Sequence, residues 1–282
     1  MKFSIITPSY NQLSYLRRCM ASVADQSGVE VEHLVIDGGS TDGSAGFLRE
    51  SPAGRTAFLS EPDRGMYDAI NKGLDRISGD TVAWLNCDEQ YLPDALNKAA
   101  RFLAEHPSVD FVCGDVLMVG PDGRLLCCRK NPPLRRAYIL ADHLYVQSAA
   151  MFFRRSVFDS GFRFSMEWKA VGDCDFVVRL LEAGFRAARI PDYLAACTMT
   201  GDNLSRQQSG VDELQLFRRR APALYRLGRP VWNLFRYSEK FLNGGYRQAV
   251  PFEYSLYLED SGSRKKISMQ QAEFRFKWGP HE

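Results

Sequence analysis

Two adjacent carboxylates, Asp88 and Glu89, follow an apolar run at residues 81–85 in the order Asn86-Cys87-Asp88-Glu89. Carboxylate oxygens at a strand end are hard ligands suited to a divalent cation. A cation matters because the chain has neither G-x-x-x-x-G-K-[S/T] nor G-x-G-x-x-G after its first strand, so no glycine cradle would hold a pyrophosphate. The same acids also read as a negative pair complementing the dipole of the helix that Pro93 opens. A second cluster, Asp37-Gly38-Gly39-Ser40-Thr41-Asp42, packs donors and acceptors where a base or ribose would lie, or closes an ordinary Asx turn. A third, Ser9-Tyr10-Asn11, comes directly after Pro8.

These clusters need elements to position them. Residues 3–7 form an apolar strand broken at Pro8, and Leu13, Leu16, Met20 and Val23 then recur at helical spacing. Strands follow at 32–36, 57–59 and 81–85, with a helix over 67–77 and Ser40 or Thr41 as the cap of the helix after the second strand. Pro93 opens an amphipathic helix through Leu96, Ala99, Phe102 and Leu103 that closes before Pro107. Segments 110–119 and 125–129 flank a Pro121-Asp122-Gly123 hairpin turn. Further on come a strand at 145–153, a helix at 173–183 stopped by Gly184, and a strand at 189–199. Alternation of this kind predicts an α/β domain with a mixed, mostly parallel sheet flanked by helices. Ligands of such sheets bind at the carboxyl ends of the strands, where all three clusters fall.

Composition sets outer limits. The 282 residues are 45% hydrophobic, 12% aromatic and 25% charged, an ordinary globular balance that excludes disordered and collagen-like chains. A net charge of +2 gives no sign of a nucleic-acid partner. Seven scattered cysteines without a CxxC pair point to a reducing, cytoplasmic compartment and away from structural zinc. The first residues read as a strand meeting a proline, not as a signal peptide. Charge is uneven: residues 206–247 carry nine Lys+Arg against three acids, so a basic, aromatic-rich tail follows an acidic-leaning body.

Ile5-Ile6-Thr7-Pro8-Ser9-Tyr10-Asn11 and Val35-Ile36-Asp37-Gly38-Gly39-Ser40-Thr41-Asp42-Gly43 together resemble the inverting family 2 nucleotide-sugar glycosyltransferases of GT-A fold. The run from Asp63-Arg64-Gly65-Met66-Tyr67-Asp68 to Gly73, followed by Trp84-Leu85-Asn86-Cys87-Asp88-Glu89, resembles the bacterial exopolysaccharide, colanic-acid-type subgroup. The resemblance covers residues 3–205. It implies transfer of a sugar from a nucleoside diphosphate, UDP ahead of GDP, to the hydroxyl of a saccharide or lipid-linked saccharide. Thr7, Pro8, Ser9, Tyr10 and Asp37 would hold base and ribose, with Arg64, Asn71 and Asn86 on the same side. Asp88 would bind Mn²⁺ or Mg²⁺, and Glu89 stands where some members carry a second acid. Gly172-Asp173-Cys174-Asp175-Phe176 resembles the family's acidic motif, which makes Asp173 the general base and Asp175 its support; a glycine, Gly172, replaces the usual glutamate. Gln147 would border the acceptor. The loop 200–205 would close on the diphosphate, with Asp202 in place of a small residue. Of the four histidines, His33, His106 and His281 lie away from the cleft, and His143 near it reads as structural.

The implied organisation is a catalytic domain over 1–205, with a nucleotide half (1–120) and an acceptor half (121–205), and a helical basic extension over 206–282. The extension reads as an amphipathic surface meeting the inner face of a membrane, or as a solvated helix pair or homodimer contact. Two alternatives stay open on this pattern: a non-catalytic sugar-nucleotide-binding scaffold, and a nucleotidyltransferase.

Overall fold

The computed structural model describes residues 1–51, 56–201, 203, 204, 207–259 and 261–270; Asp202 lies outside them. Its elements in chain order are β1 (Lys2–Ser9), α1 (Leu13–Ala24), β2 (Glu30–Asp37), α2 (Ser44–Glu50), β3 (Thr56–Ser60), α3 (Met66–Leu74), β4 (Thr81–Trp84), β5 (Glu89–Tyr91) and α4 (Ala95–Glu105). There follow β6 (Phe111–Val119), β7 (Leu125–Arg129), α5 (Arg136–Ala141), a 3-10 turn (Ser148–Ala150), β8 (Met151–Arg154), α6 (Arg155–Asp159), α7 (Gly172–Glu182) and β9 (Ala187–Thr198). The tail folds as α8 (Gln208–Arg220), α9 (Ala223–Leu227), α10 (Arg229–Leu242), β10 (Phe252–Leu256) and β11 (Lys265–Met269).

The main sheet runs β3-β2-β1-β4-β8-β6-β9-β5, with β7 on β6. The first four strands are parallel, as their alternation with helices predicts. β8 then runs antiparallel between β4 and β6, which makes the sheet mixed. β1 is an interior strand buried on both sides: Phe3 and Ile5 enter one core with α1 and α4, and Ile6 enters the other with α3 and α7. Beneath α7 the second core is an aromatic stack in which Phe164 lies 4.4 Å from Phe176 and Trp84 5.2 Å from Phe153.

Several local expectations change. The strand expected at 145–153 begins only at Met151, because the 3-10 turn takes up the residues before it. The N-cap of α2 is Gly43, not Ser40 or Thr41; Asp42 just ahead of it accepts the Ser44 N–H through Oδ1 and the Leu13 N–H through Oδ2, so one side chain ties together the starts of two helices. The tail is helical only in part. Its β10–β11 hairpin packs Tyr254 and Leu256 against Leu117 and Leu125, and Arg264 crosses to Asp25 and to the Tyr91 carbonyl at 2.9 Å. The apolar alternation of Phe252, Tyr254 and Leu256 was the available signal for that strand.

Candidate functional site

Parallel register brings the three strand-end clusters side by side. Ser9 pairs with Asp37, and Asp37 with Ser60. The Ser9 carbonyl accepts the Gly38 N–H at 2.9 Å, and the Cys87 thiol lies 3.3 Å from the Pro8 carbonyl. Tyr10 stands exposed at the mouth of this edge, while Thr7 turns inward and pairs with His33 Nε2 at 2.8 Å. Asp37 is fully buried, and its carboxylate accepts from Ser40 and from Ser60 Oγ at 2.6 Å. It shapes the loop around Gly38. The carboxylate lying over that glycine belongs to Asp63, so close that a Cβ at Gly38 would stand 2.7 Å from Asp63 Oδ2.

Asp88 and Glu89 differ in what they face. Glu89 is buried and its Oε2 accepts the Asn86 N–H at 2.8 Å, tying the turn together from below. Asp88 is partly exposed; its Oδ2 accepts the Asn203 side-chain amide at 2.8 Å, and its carbonyl accepts the Thr198 N–H. The loop after β9, expected to close on the diphosphate, thus meets Asp88 through Asn203, which had no expected role of its own. Burial pushes both carboxyls above their ordinary range, Glu89 further because the charge of Asp88 adjoins it. Asn86 Oδ1 is buried without a hydrogen-bond partner. Among the described residues no group of three His, Cys, Asp or Glu side chains could hold a metal by itself. One carboxylate beside an orphaned carboxamide oxygen nevertheless suits a hard cation that keeps most of its shell on phosphate oxygens and water.

Asp173 opens α7. Its Oδ1 accepts the Cys174 N–H at 2.8 Å, and its own N–H donates to Tyr67 Oη at 3.2 Å, with that hydroxyl 3.5 Å from Oδ1. Burial in this apolar wall pushes its carboxyl up to about 6. Tyr67 is held in turn: its ring stacks on Phe164 at 5.1 Å, and Asn71 clamps the Phe164 backbone by giving a hydrogen bond to its carbonyl and accepting its N–H. Asn71 is therefore engaged in positioning Tyr67. From the tail, Glu213 of α8 accepts the N–H groups of Lys169 and Ala170, fixing the loop that leads into α7. Asp175 faces elsewhere, paired with Arg179 at 2.8 Å. Arg64 extends its guanidinium from the rim to Asp68 at 3.1 Å, and Gln147 is half-buried ahead of the 3-10 turn.

Gly172 now has a reason. A Cβ there would stand 2.6–2.9 Å from three ring carbons of Tyr67, although the backbone is one that any residue adopts. Gly172→Ala is expected to displace the ring that orients Asp173, costing about 1–3 kcal/mol as overpacking does. Thermal unfolding checks this, and an unchanged Tm would show that the ring has room to move.

Residues 4–162 match the family model of Glycosyl transferase family 2. The chain belongs to this family. The glycosyltransferase is similar to a PGL/p-HBAD biosynthesis glycosyltransferase of Mycobacterium bovis, at 31% identity over 184 residues that make up 63% of this chain and 68% of the relative. In fold it is similar to S. aureus TarS 1–349 in complex with UDP-GlcNAc, at TM-score 0.60 and 18% identity, covering 97% of this chain and 100% of that one. It spans 60% of the longer TarS chain. The mannosyltransferase PcManGT from Pyrobaculum calidifontis, in complex with GDP-Man and Mn²⁺, aligns at TM-score 0.56 and 17% identity over 88% of this chain and 76% of that one. The architecture of this transferase is the GT-A fold: a mixed sheet flanked by helices.

Proposed function

We propose that this glycosyltransferase moves a sugar from a nucleoside diphosphate, with UDP preferred, to a hydroxyl of a saccharide or lipid-linked saccharide, with inversion at the anomeric carbon. The observation that carries the reading is a pair of carboxylates held in different surroundings. Asp88 sits at the strand ends under the Asn203 loop, and Asp173 sits at a helix start, locked by Tyr67. The similarity to TarS in complex with UDP-GlcNAc and to PcManGT in complex with GDP-Man supports a nucleotide-sugar donor.

In this reading Ser9, Tyr10, Asp37 and Asp63 form the edge that receives base and ribose. Tyr10 offers a ring face, and Asp37 sets the Ser40 loop. Asp88 and the Asn86 carboxamide hold a divalent cation, which when bound neutralises the developing charge of the diphosphate leaving group. The Asp173 carboxylate takes the proton of the acceptor hydroxyl while that oxygen bonds to the anomeric carbon and the bond to the diphosphate breaks on the opposite face. Tyr67 keeps the carboxylate aimed, and Asp175 steadies Arg179, whose guanidinium ties α7 to the Arg163 carbonyl at 2.8 Å. Gln147 lies on the acceptor side.

Thermal unfolding with UDP, GDP, CMP or NAD, each with and without Mn²⁺, tests the donor site. Ligand at about 100 times its Kd stabilises the native state by about 2.7 kcal/mol, several degrees in Tm for a chain of this size. UDP is expected to give the largest shift, enlarged by Mn²⁺. A shift indifferent to Mn²⁺ would remove Asp88 as a metal ligand, and no shift with any nucleotide would overturn the donor reading.

A further inference from the structure

Helix α10 carries its polar side inward. Arg229, Trp232, Arg236 and Glu239 recur at helical spacing and face the protein. The two arginines donate to Asp142 at 2.7 and 2.8 Å, Trp232 packs on the core, and Glu239 accepts from Arg135 and from Tyr138 Oη at 3.0 Å. The opposite side presents Val231, Leu234, Phe235 and Leu242, and Leu224 and Leu227 of α9 extend the stripe. Leu227 is 77% exposed and Leu242 83%. A surface helix of a free-standing globular domain has the reverse arrangement. Half of the exposed large hydrophobic side chains among the described residues fall within residues 224–242, and an apolar patch of that kind marks an interaction site.

Charge indicates what covers it. Between residues 221 and 250 the chain has one acid, Glu239, and that acid is engaged inward by Arg135. Arg219 at the end of α8, Arg226 in α9 and Arg247 after α10 are exposed. Two copies meeting across a twofold axis would bring these arginines together with no acid from α9–α10 to answer them. A leaflet of anionic lipid accepts the apolar side chains at the acyl boundary and the arginines at the headgroup phosphates. No helix among the described residues is long and apolar enough to cross a membrane, so a helix lying in the interfacial plane is the geometry that fits. We propose that α9 and α10 form a docking face for an anionic membrane surface. The face connects to the Asp173 helix through a single intervening element, because α10 rests on α5 and α5 on α7.

Flotation of the full chain with phosphatidylcholine vesicles, with and without phosphatidylglycerol, tests this face. The protein is expected to float with the anionic vesicles at low salt and to dissociate as salt rises. Combining Leu227→Gln with Leu234→Gln, both at exposed positions, is expected to lower the vesicle partition coefficient roughly tenfold or more while leaving Tm unchanged. The proposal fails if the full chain stays in the soluble fraction, or if the double variant floats equally well. A concentration-dependent dimer that Leu234→Gln dissolves, without vesicle binding, would assign the face to a second copy and overturn the proposal. Nucleotide binding in solution does not use this face, so the donor site and the docking face stand or fall in separate experiments.

Discussion

Asp173→Asn is expected to lower kcat by about 10²–10⁴ while leaving nucleotide binding in place, because a carboxamide keeps the shape and loses the base. In the unmutated enzyme, kcat/KM should rise with pH through about 6 and then level off, since burial holds the Asp173 carboxyl near that value and only the ionised form accepts a proton. Stability runs the other way. A carboxyl with its folded-state pKa raised is protonated more readily folded than unfolded, so its contribution falls as pH climbs from the ordinary aspartate range through about 6. Asp173→Asn should therefore match or exceed the parent Tm at neutral pH. A variant that keeps full activity would end the assignment of Asp173 as base. One that loses activity together with Tm would show a structural role. Tyr67→Phe gives a finer reading: without the hydroxyl beside Oδ1, the acidic limb of the profile should move upward in pH.

Asp142→Asn is expected to cost about 3–5 kcal/mol, the usual consequence of removing one partner from a buried ion pair. Asp142 is buried and receives Arg218, Arg229 and Arg236 at 2.7–2.8 Å, with His143 Nδ1 also at 2.8 Å. Burial by itself would raise its carboxyl, but His143 and the surrounding arginines hold it far below the ordinary range. Its contribution is thus in full force above that range and is lost only as pH falls well beneath it. Arg236 carries most of the effect because it is buried with Asp142, whereas Arg229 is half-exposed and screened. The consequence should reach the candidate site around Asp173. Arg218 sits on α8, whose Glu213 holds the loop into α7, so turnover is expected to fall along with Tm. Thermal unfolding and a turnover assay on the same preparation decide it. An unchanged Tm would mean that the three arginines find water as easily as they find Asp142.

The placement of the polar clusters was legible where it is local. Pro8, the Asp-Gly-Gly turn and the Asn-Cys-Asp-Glu run sit at strand ends because hydrophobic periodicity stops just before them, and a parallel sheet gathers such ends on one side. The i, i+4 spacing of Asp175 and Arg179 also lay in the sequence as a helical ion pair. Surroundings built from distant segments were not legible. Asp37 and Asp88 look alike as strand-end acids, yet one is saturated by Ser40 and Ser60 while the other meets Asn203, 115 residues away.

The sequence by itself determined the order of the first four strands and the helices between them, the chemical groups at the strand ends and the basic character of the tail, because each follows from side-chain types at fixed spacing along the chain. Only the tertiary structure decided which partners each carboxylate meets, why residue 172 is a glycine beneath Tyr67, and which side of α10 faces water. A helical pattern shows that two faces differ, but burial, desolvation and ion pairing depend on what packs against each. The three arginine partners of Asp142, up to 94 residues further along the chain, become its neighbours only when the tail folds back onto α5.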